Sequence, residues 1–146
     1  ALLGHVPIPS GNIHPVQTED VTPEDSARQY AATLARVYGA TVLDPARPLF
    51  DVVLLGLGTN GHTASLFPGT PALQEQHAWA LAVTPDGEPT RITLTYPALN
   101  SARHVAFIVA GADKRDVLAR VQAHDPAEPA SFIAPSGALH WFTDVG

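Results

Sequence analysis

The stretch Phe50–Thr70, FDVVLLGLGTNGHTASLFPGT, sets the frame for the whole chain. It opens with an apolar run of strand length, broken only by Asp51 at its mouth, and the run stops at Gly56-Leu57-Gly58. A continuous apolar run is the pattern of a parallel strand buried on both faces, which requires helices above and below the sheet. In open sheets of this kind, ligands bind beyond the carboxyl ends of the strands. The glycine-rich turn therefore presents Asn60, His62, Thr63 and Ser65 where a ligand would sit, and a short helical piece is expected before Pro68-Gly69.

The flanking sequence supplies the other layers of such a fold. Val6-Pro7-Ile8-Pro9 is held extended or in a turn by its prolines, and Asn12-Ile13-His14 is expected to continue as a short strand. Thr22-Pro23-Glu24-Asp25 is a helix start: an N-cap threonine, proline at the first helical position, and carboxylates facing the positive end of the helix dipole. Ala27, Tyr30, Ala31, Leu34, Val37 and Tyr38 keep helical spacing until Gly39 closes the helix. Further strands are expected at Ala78–Val83, Arg91–Thr95 and His104–Val109, with a turn-rich loop over Thr84–Thr90 and a short helix or turn over Pro97–Ala102. Asp113 reads as the N-cap of a helix carrying Val117, Leu118 and Val121 on one face and ending at His124-Asp125-Pro126. The tail, with Phe132, Ile133, Leu139, Trp141 and Phe142, is too apolar for a free end and is expected to pack back as a last strand. Alternating strands and helices predict an α/β class, a three-layer sandwich around a mainly parallel, Rossmann-like sheet, in one domain over residues 1–146. The chain starts ALLGHVPIPSGNIH without methionine, and Ala1–Leu3 reads as the end of a helix, so a fragment is expected, with N-terminal strands missing.

Composition narrows the function classes. With 146 residues and 45% hydrophobic content the chain can build one core. Fourteen carboxylates against eight basic residues give a net charge of −6 without a basic cluster, which argues against a nucleic-acid partner. No apolar run approaches the ~20 residues that span a bilayer, and the first residues lack the order of a secretory signal, so no membrane partner and a cytoplasmic location are expected. With no cysteine, any catalysis must use oxygen, nitrogen or carboxylate groups.

Gly56-Leu57-Gly58-Thr59-Asn60-Gly61 matches the dinucleotide pattern G-x-G-x-x-G after a strand. That site needs a long helix directly after the glycines, which Pro68-Gly69 interrupts, and an acidic residue at the end of a following strand, whereas Asp86 lies in a turn. His62 is the better lead. A lone histidine is ordinarily a surface group, but this one follows the most apolar strand, among glycines that bring backbone close to a ligand and beside hydroxyl and amide side chains. An imidazole with a pKa of about 6.5 is mostly neutral at pH 7 and can serve as a general base. His5, His14, His77, His104, His124 and His140 have no such setting and no metal-ligand spacing. Arg91 is equally readable as a solvated arginine or as a forked donor for a substrate anion. Lys114, at a helix start, is read as solvated.

Taken together, GLGTNGHTASLFPGT, RITLTYPALNSARHVAFIVAG-x-x-K and the closing W-F-x-D resemble the 6-phosphogluconolactonases of the glucosamine/galactosamine-6-phosphate isomerase superfamily. The likeness extends to the opening HVPIPSGNIH, the P-E-D helix start and the P-A-S-F-I-A-P tail. It implies hydrolysis of 6-phospho-D-glucono-1,5-lactone to 6-phosphogluconate, in the oxidative pentose phosphate pathway, without metal or organic cofactor. It implies His62 as the base that activates water, Asn60 at the position where most of the family has aspartate, and Arg91 at the phosphate. Gly58, Gly61, Thr63 and Ser65 complete the implied substrate-binding set, with the glycine N–H groups as oxyanion or phosphate donors. The expected assembly is a monomer or weak homo-oligomer. The family's glycine-rich phosphate loop and Asp-Glu-Arg stretch have no counterpart here. Asn60 also fits the N-G-H of glucosamine-6-phosphate deaminases, but these continue I-A-F-N-E-P where this chain has T-A-S-L-F-P and so lacks their acidic residue. A non-catalytic sugar-phosphate-binding module is the other alternative.

Overall fold

A computed structural model describes residues 2–145. Helix α1 spans Pro23–Tyr38, with the Thr22 side chain accepting from the Asp25 N–H and Gly39 closing the helix in the left-handed region, as the sequence predicts. Strand β1 covers Phe50–Leu55, β2 Ala80–Val83 and β3 Arg91–Leu94; a five-residue helix α2 covers Tyr96–Asn100. Strand β4 covers Ala102–Val109, helix α3 Arg115–Gln122 and strand β5 Ala138–Thr143. The main sheet is parallel throughout, in the order β1-β4-β5, and β2 and β3 form a separate antiparallel pair.

One face of the main sheet holds the core. Val53, Leu55, Val105, Phe107 and Val109 point into it and meet Val117, Leu118 and Val121 of α3, together with Leu57, Leu66, Leu99 and Ile133. Phe107 is fully buried and stacks on Trp141 with ring centroids 4.3 Å apart. Helix α1 instead covers the β2–β3 pair through Leu34 and Tyr38, which pack with Trp79 and Ala98.

The structure differs from the sequence-based expectation on the opposite face. Val52 and Leu54 of β1 are 57% and 65% exposed, and Ile108 and Phe142, on the same face of β4 and β5, are exposed too. The apolar run of β1 is thus buried on one side only among the described residues, because α1 is taken up by the smaller sheet and no other described helix covers this face.

Three local expectations also change. Asn12–His14 forms no strand; Ser10–Asn12 is a 3-10 turn, and Leu2–Gly4 is another, with Ala1 outside the described residues. Asp113 does not cap α3: Ala112–Lys114 is a 3-10 turn and Asp113 pairs with Lys114 instead. The helical piece after His62 is replaced by a tight turn, Thr63 to Leu66, because Ala64 adopts φ +51°, a left-handed conformation that a right-handed helix excludes.

Candidate active site

The parallel neighbours β1 and β4 both end in glycine turns, Gly56–His62 after β1 and Gly111–Lys114 after β4. Between them opens a cleft of about 640 Å³, within the usual size range of a small-molecule site, lined in part by Gly58, His62, Ser65, Thr93 and Lys114. This is the position at which open α/β sheets place ligands.

The β1 turn is fixed by its own backbone. The Gly58 N–H donates to the His62 carbonyl at 2.9 Å, and the Gly61 N–H donates to the Gly58 carbonyl at 3.0 Å. Both amides are therefore used within the turn, which corrects the expectation that these glycines supply donors to an oxyanion or phosphate. They serve space and conformation instead. A Cβ on Gly58 would collide with the His62 imidazole, and Gly61 takes φ +75°, a region that side chains avoid.

Thr63 is likewise placed inside rather than against the cleft. It is 1% exposed, and its hydroxyl donates to the Gly56 carbonyl at 2.9 Å, tying the end of the turn to its beginning. Ser65 does line the cleft; its N–H donates to the Thr93 hydroxyl at 3.0 Å. These two bonds hold Ala64 in its left-handed conformation between them.

His62 is half-buried, with its ring stacked on Phe67 at 4.3 Å between centroids. Asn60 Oδ1 accepts from the His62 N–H at 3.3 Å and lies 2.6 Å from His62 Nδ1. Because an amide oxygen only accepts, Nδ1 must carry the proton in the neutral ring, which leaves the Nε2 lone pair free. Burial holds the His62 pKa below its ordinary value; the Arg91 and Lys114 charges add to this, and Glu88 opposes it weakly. The arrangement is a neutral imidazole of fixed tautomer, suited to taking a proton from water.

Arg91 does not line this cleft. Its guanidinium pairs with Glu88 and lies 5.3 Å from the centre of the Phe67 ring, on which His62 also stacks. Lys114, read from the sequence as solvated, lines the cleft with its side chain 21% exposed. The signal that could have found it is the repeat of strand and glycine turn: Val109-Ala110-Gly111 prepares Lys114 much as Leu55–Gly58 prepares His62. Among the described residues, no three histidine, aspartate or glutamate side chains converge as a metal site. None of the described helices is long and apolar enough to cross a membrane.

Known proteins match this chain over nearly its whole length. A family model described as glucosamine-6-phosphate isomerases/6-phosphogluconolactonase matches residues 1–141. Similar curated proteins include a 6-phosphogluconolactonase of Nostoc sp., 47% identical over 99% of this chain and 60% of its own length. Another from Rattus norvegicus is 40% identical over 98% of this chain and 55% of its own. The crystal structure of 6-phosphogluconolactonase from Thermotoga maritima superposes with a TM-score of 0.79 at 28% identity, covering 97% of this chain and 60% of that one. The chain thus spans about 60% of the length of the first of these relatives. With the matched segment running through both glycine turns of the cleft, the chain belongs to the glucosamine-6-phosphate isomerase/6-phosphogluconolactonase family.

Proposed function

We propose that this chain carries the water-activating part of a 6-phosphogluconolactonase, a cytoplasmic enzyme acting on 6-phospho-D-glucono-1,5-lactone, with residues 1–146 belonging to one domain and functioning as a monomer or weak homo-oligomer. The observation that carries this reading is the 2.6 Å contact between Asn60 Oδ1 and His62 Nδ1, which leaves the Nε2 lone pair free on a residue that lines the cleft. His62 Nε2 takes a proton from water as the water oxygen bonds to the lactone carbonyl carbon. The carbonyl electrons move onto oxygen; when they return, the ring C–O bond breaks, and the imidazolium gives its proton to the departing sugar hydroxyl. The product is the open-chain acid, which ionises at neutral pH. A positioned base of this kind contributes roughly 10²–10⁴-fold in rate.

Lys114 is the cation best placed to meet a substrate anion, either the phosphate or the developing oxyanion, since it shares the cleft with His62. Arg91 meets the phosphate only by leaving Glu88, and Ser65 offers a hydroxyl at the cleft wall. Thr63 and Gly61 hold the turn, and Gly58 makes room for the imidazole.

Asn60 favours one second reading, a deaminase of glucosamine 6-phosphate. The two are separated by assaying the full-length protein for hydrolysis of the phosphorylated lactone and for release of ammonia from glucosamine 6-phosphate. Lactone hydrolysis without ammonia is the expected result; the reverse would replace this proposal with the deaminase, and sugar-phosphate binding without turnover would reduce the protein to a binding module.

A further inference from the structure

We propose that the Arg120–Glu128 ion pair is a positioning element for the catalytic turn, holding Asn60 and His62 in register by clamping the glycine between them. The inference rests on the reading of His62 as the base. Glu128 is a carboxylate only 7% exposed, far from His62 in sequence and outside every motif that identified the site. One of its oxygens accepts from Arg120 Nε at 2.6 Å, and the other lies against Gly61, where an added Cβ would run into it. On the same side, the Ala130 N–H donates to the Gly61 carbonyl at 2.9 Å.

This clamp has a fixed base. The buried Tyr96 hydroxyl donates to the Pro129 carbonyl at 2.8 Å, and burial pushes its pKa up to about 12, so it remains a donor throughout the neutral range. The Glu128 N–H donates to the Asp125 carbonyl, and the Ser131 N–H donates to the Glu128 carbonyl. Residues 125–131 are thus a short, internally bonded platform beneath the turn. Gly61 is pinned from that platform by a hydrogen bond through its carbonyl and by carboxylate contact at its Cα. A residue in the left-handed region has neighbours whose relative orientation depends on its two dihedrals, so fixing Gly61 fixes how the Asn60 and His62 backbones, from which the two side chains project, face each other. Arg120 then holds the buried carboxylate in place rather than turned toward solvent.

The test follows the titration of the His62 ring by NMR in the full-length protein, with kcat and KM for lactone hydrolysis measured in the same protein. In Glu128→Ala the turn relaxes and exposes the imidazole, so the His62 pKa is expected to rise toward that of a solvated histidine. The same variant is expected to lose between about tenfold and a hundredfold in kcat with little change in KM, the pattern of a misplaced base. Glu128→Gln, which keeps an oxygen for Arg120 Nε, restores most of both. Leu34→Ala, which weakens the packing of α1 on the β2–β3 pair, away from the platform, lowers the melting temperature but leaves the His62 titration in place. Should Glu128→Ala fail to fold, Arg120→Met tests the same pair and is expected to move the titration in the same direction. A folded Glu128→Ala protein whose His62 titration matches the parent would overturn the proposal. Because the titration needs no substrate, absence of lactone hydrolysis in the parent would count against the functional reading alone.

Discussion

Asn60 Oδ1 bridges two nitrogens of His62, the backbone N at 3.3 Å and ring Nδ1 at 2.6 Å. A single acceptor thereby sets both the start of the side chain and its tautomer. Aspartate could make the same two contacts but would add a negative charge, favouring the imidazolium.

Asn60→Asp is accordingly expected to raise the His62 pKa and move the acid limb of kcat/KM to higher pH, with kcat at pH 8 equal to or above the parent value. Asn60→Ala removes the tautomer lock and is expected to lower kcat by about tenfold to a hundredfold. Both follow from pH–rate profiles of the full-length protein. A large loss in Asn60→Asp at pH 8 would mean that the amide N–H₂ has a role of its own.

Lys114 lowers the His62 pKa, after burial and Arg91, by disfavouring the charged ring. Below its pKa His62 is protonated and cannot act as a base, so activity is retained at pH values somewhat under 6.5 and is lost as pH falls through the depressed value. Lys114→Met removes a cation, so the acid limb should move to higher pH. If Lys114 also meets the substrate anion, KM rises by about tenfold or more, on the scale of a lost charge-assisted hydrogen bond. An unchanged KM would remove Lys114 from the binding set.

Gly58→Ala tests the space reserved for the imidazole. The new methyl would occupy the position of the His62 ring, whose Nδ1, Cε1 and Cγ are its three nearest neighbours. The variant is expected to fold with a melting temperature near that of the parent and to lose kcat by about a hundredfold. Circular dichroism melting and steady-state rates measure the two effects separately.

The core under the site predicts a purely structural variant. Phe107 is fully buried at the centre of the parallel sheet and stacked on Trp141. Phe107→Ala should cost about 3–5 kcal/mol of unfolding free energy, read as a shift in the urea midpoint.

Elements with local signals were legible in the sequence. Thr22, Pro23 and Gly39 encode the ends of α1 through capping chemistry that depends on near neighbours, and the glycines after Leu55 mark where β1 stops. The exposed face of β1 was not legible, because an apolar run does not record which helix covers it, and α1 packs elsewhere. At the site, Asn60 and His62 stand in one motif, and the family resemblance implied their pairing. Thr63 could not be assigned to the interior, since a hydroxyl beside a histidine reads alike whether it faces substrate or a carbonyl such as that of Gly56. Lys114 and Glu128 reach the turn only through the parallel pairing of β1 with β4 and the return of residues 125–131, which are long-range facts.

The central claim is that His62 Nε2 deprotonates the attacking water. The most direct measurement is kcat for hydrolysis of 6-phospho-D-glucono-1,5-lactone by full-length His62→Ala, alongside circular dichroism to verify the fold. The account predicts a folded protein whose kcat is lower by about 10²-fold or more. A folded His62→Ala enzyme turning over at the parent rate would contradict it.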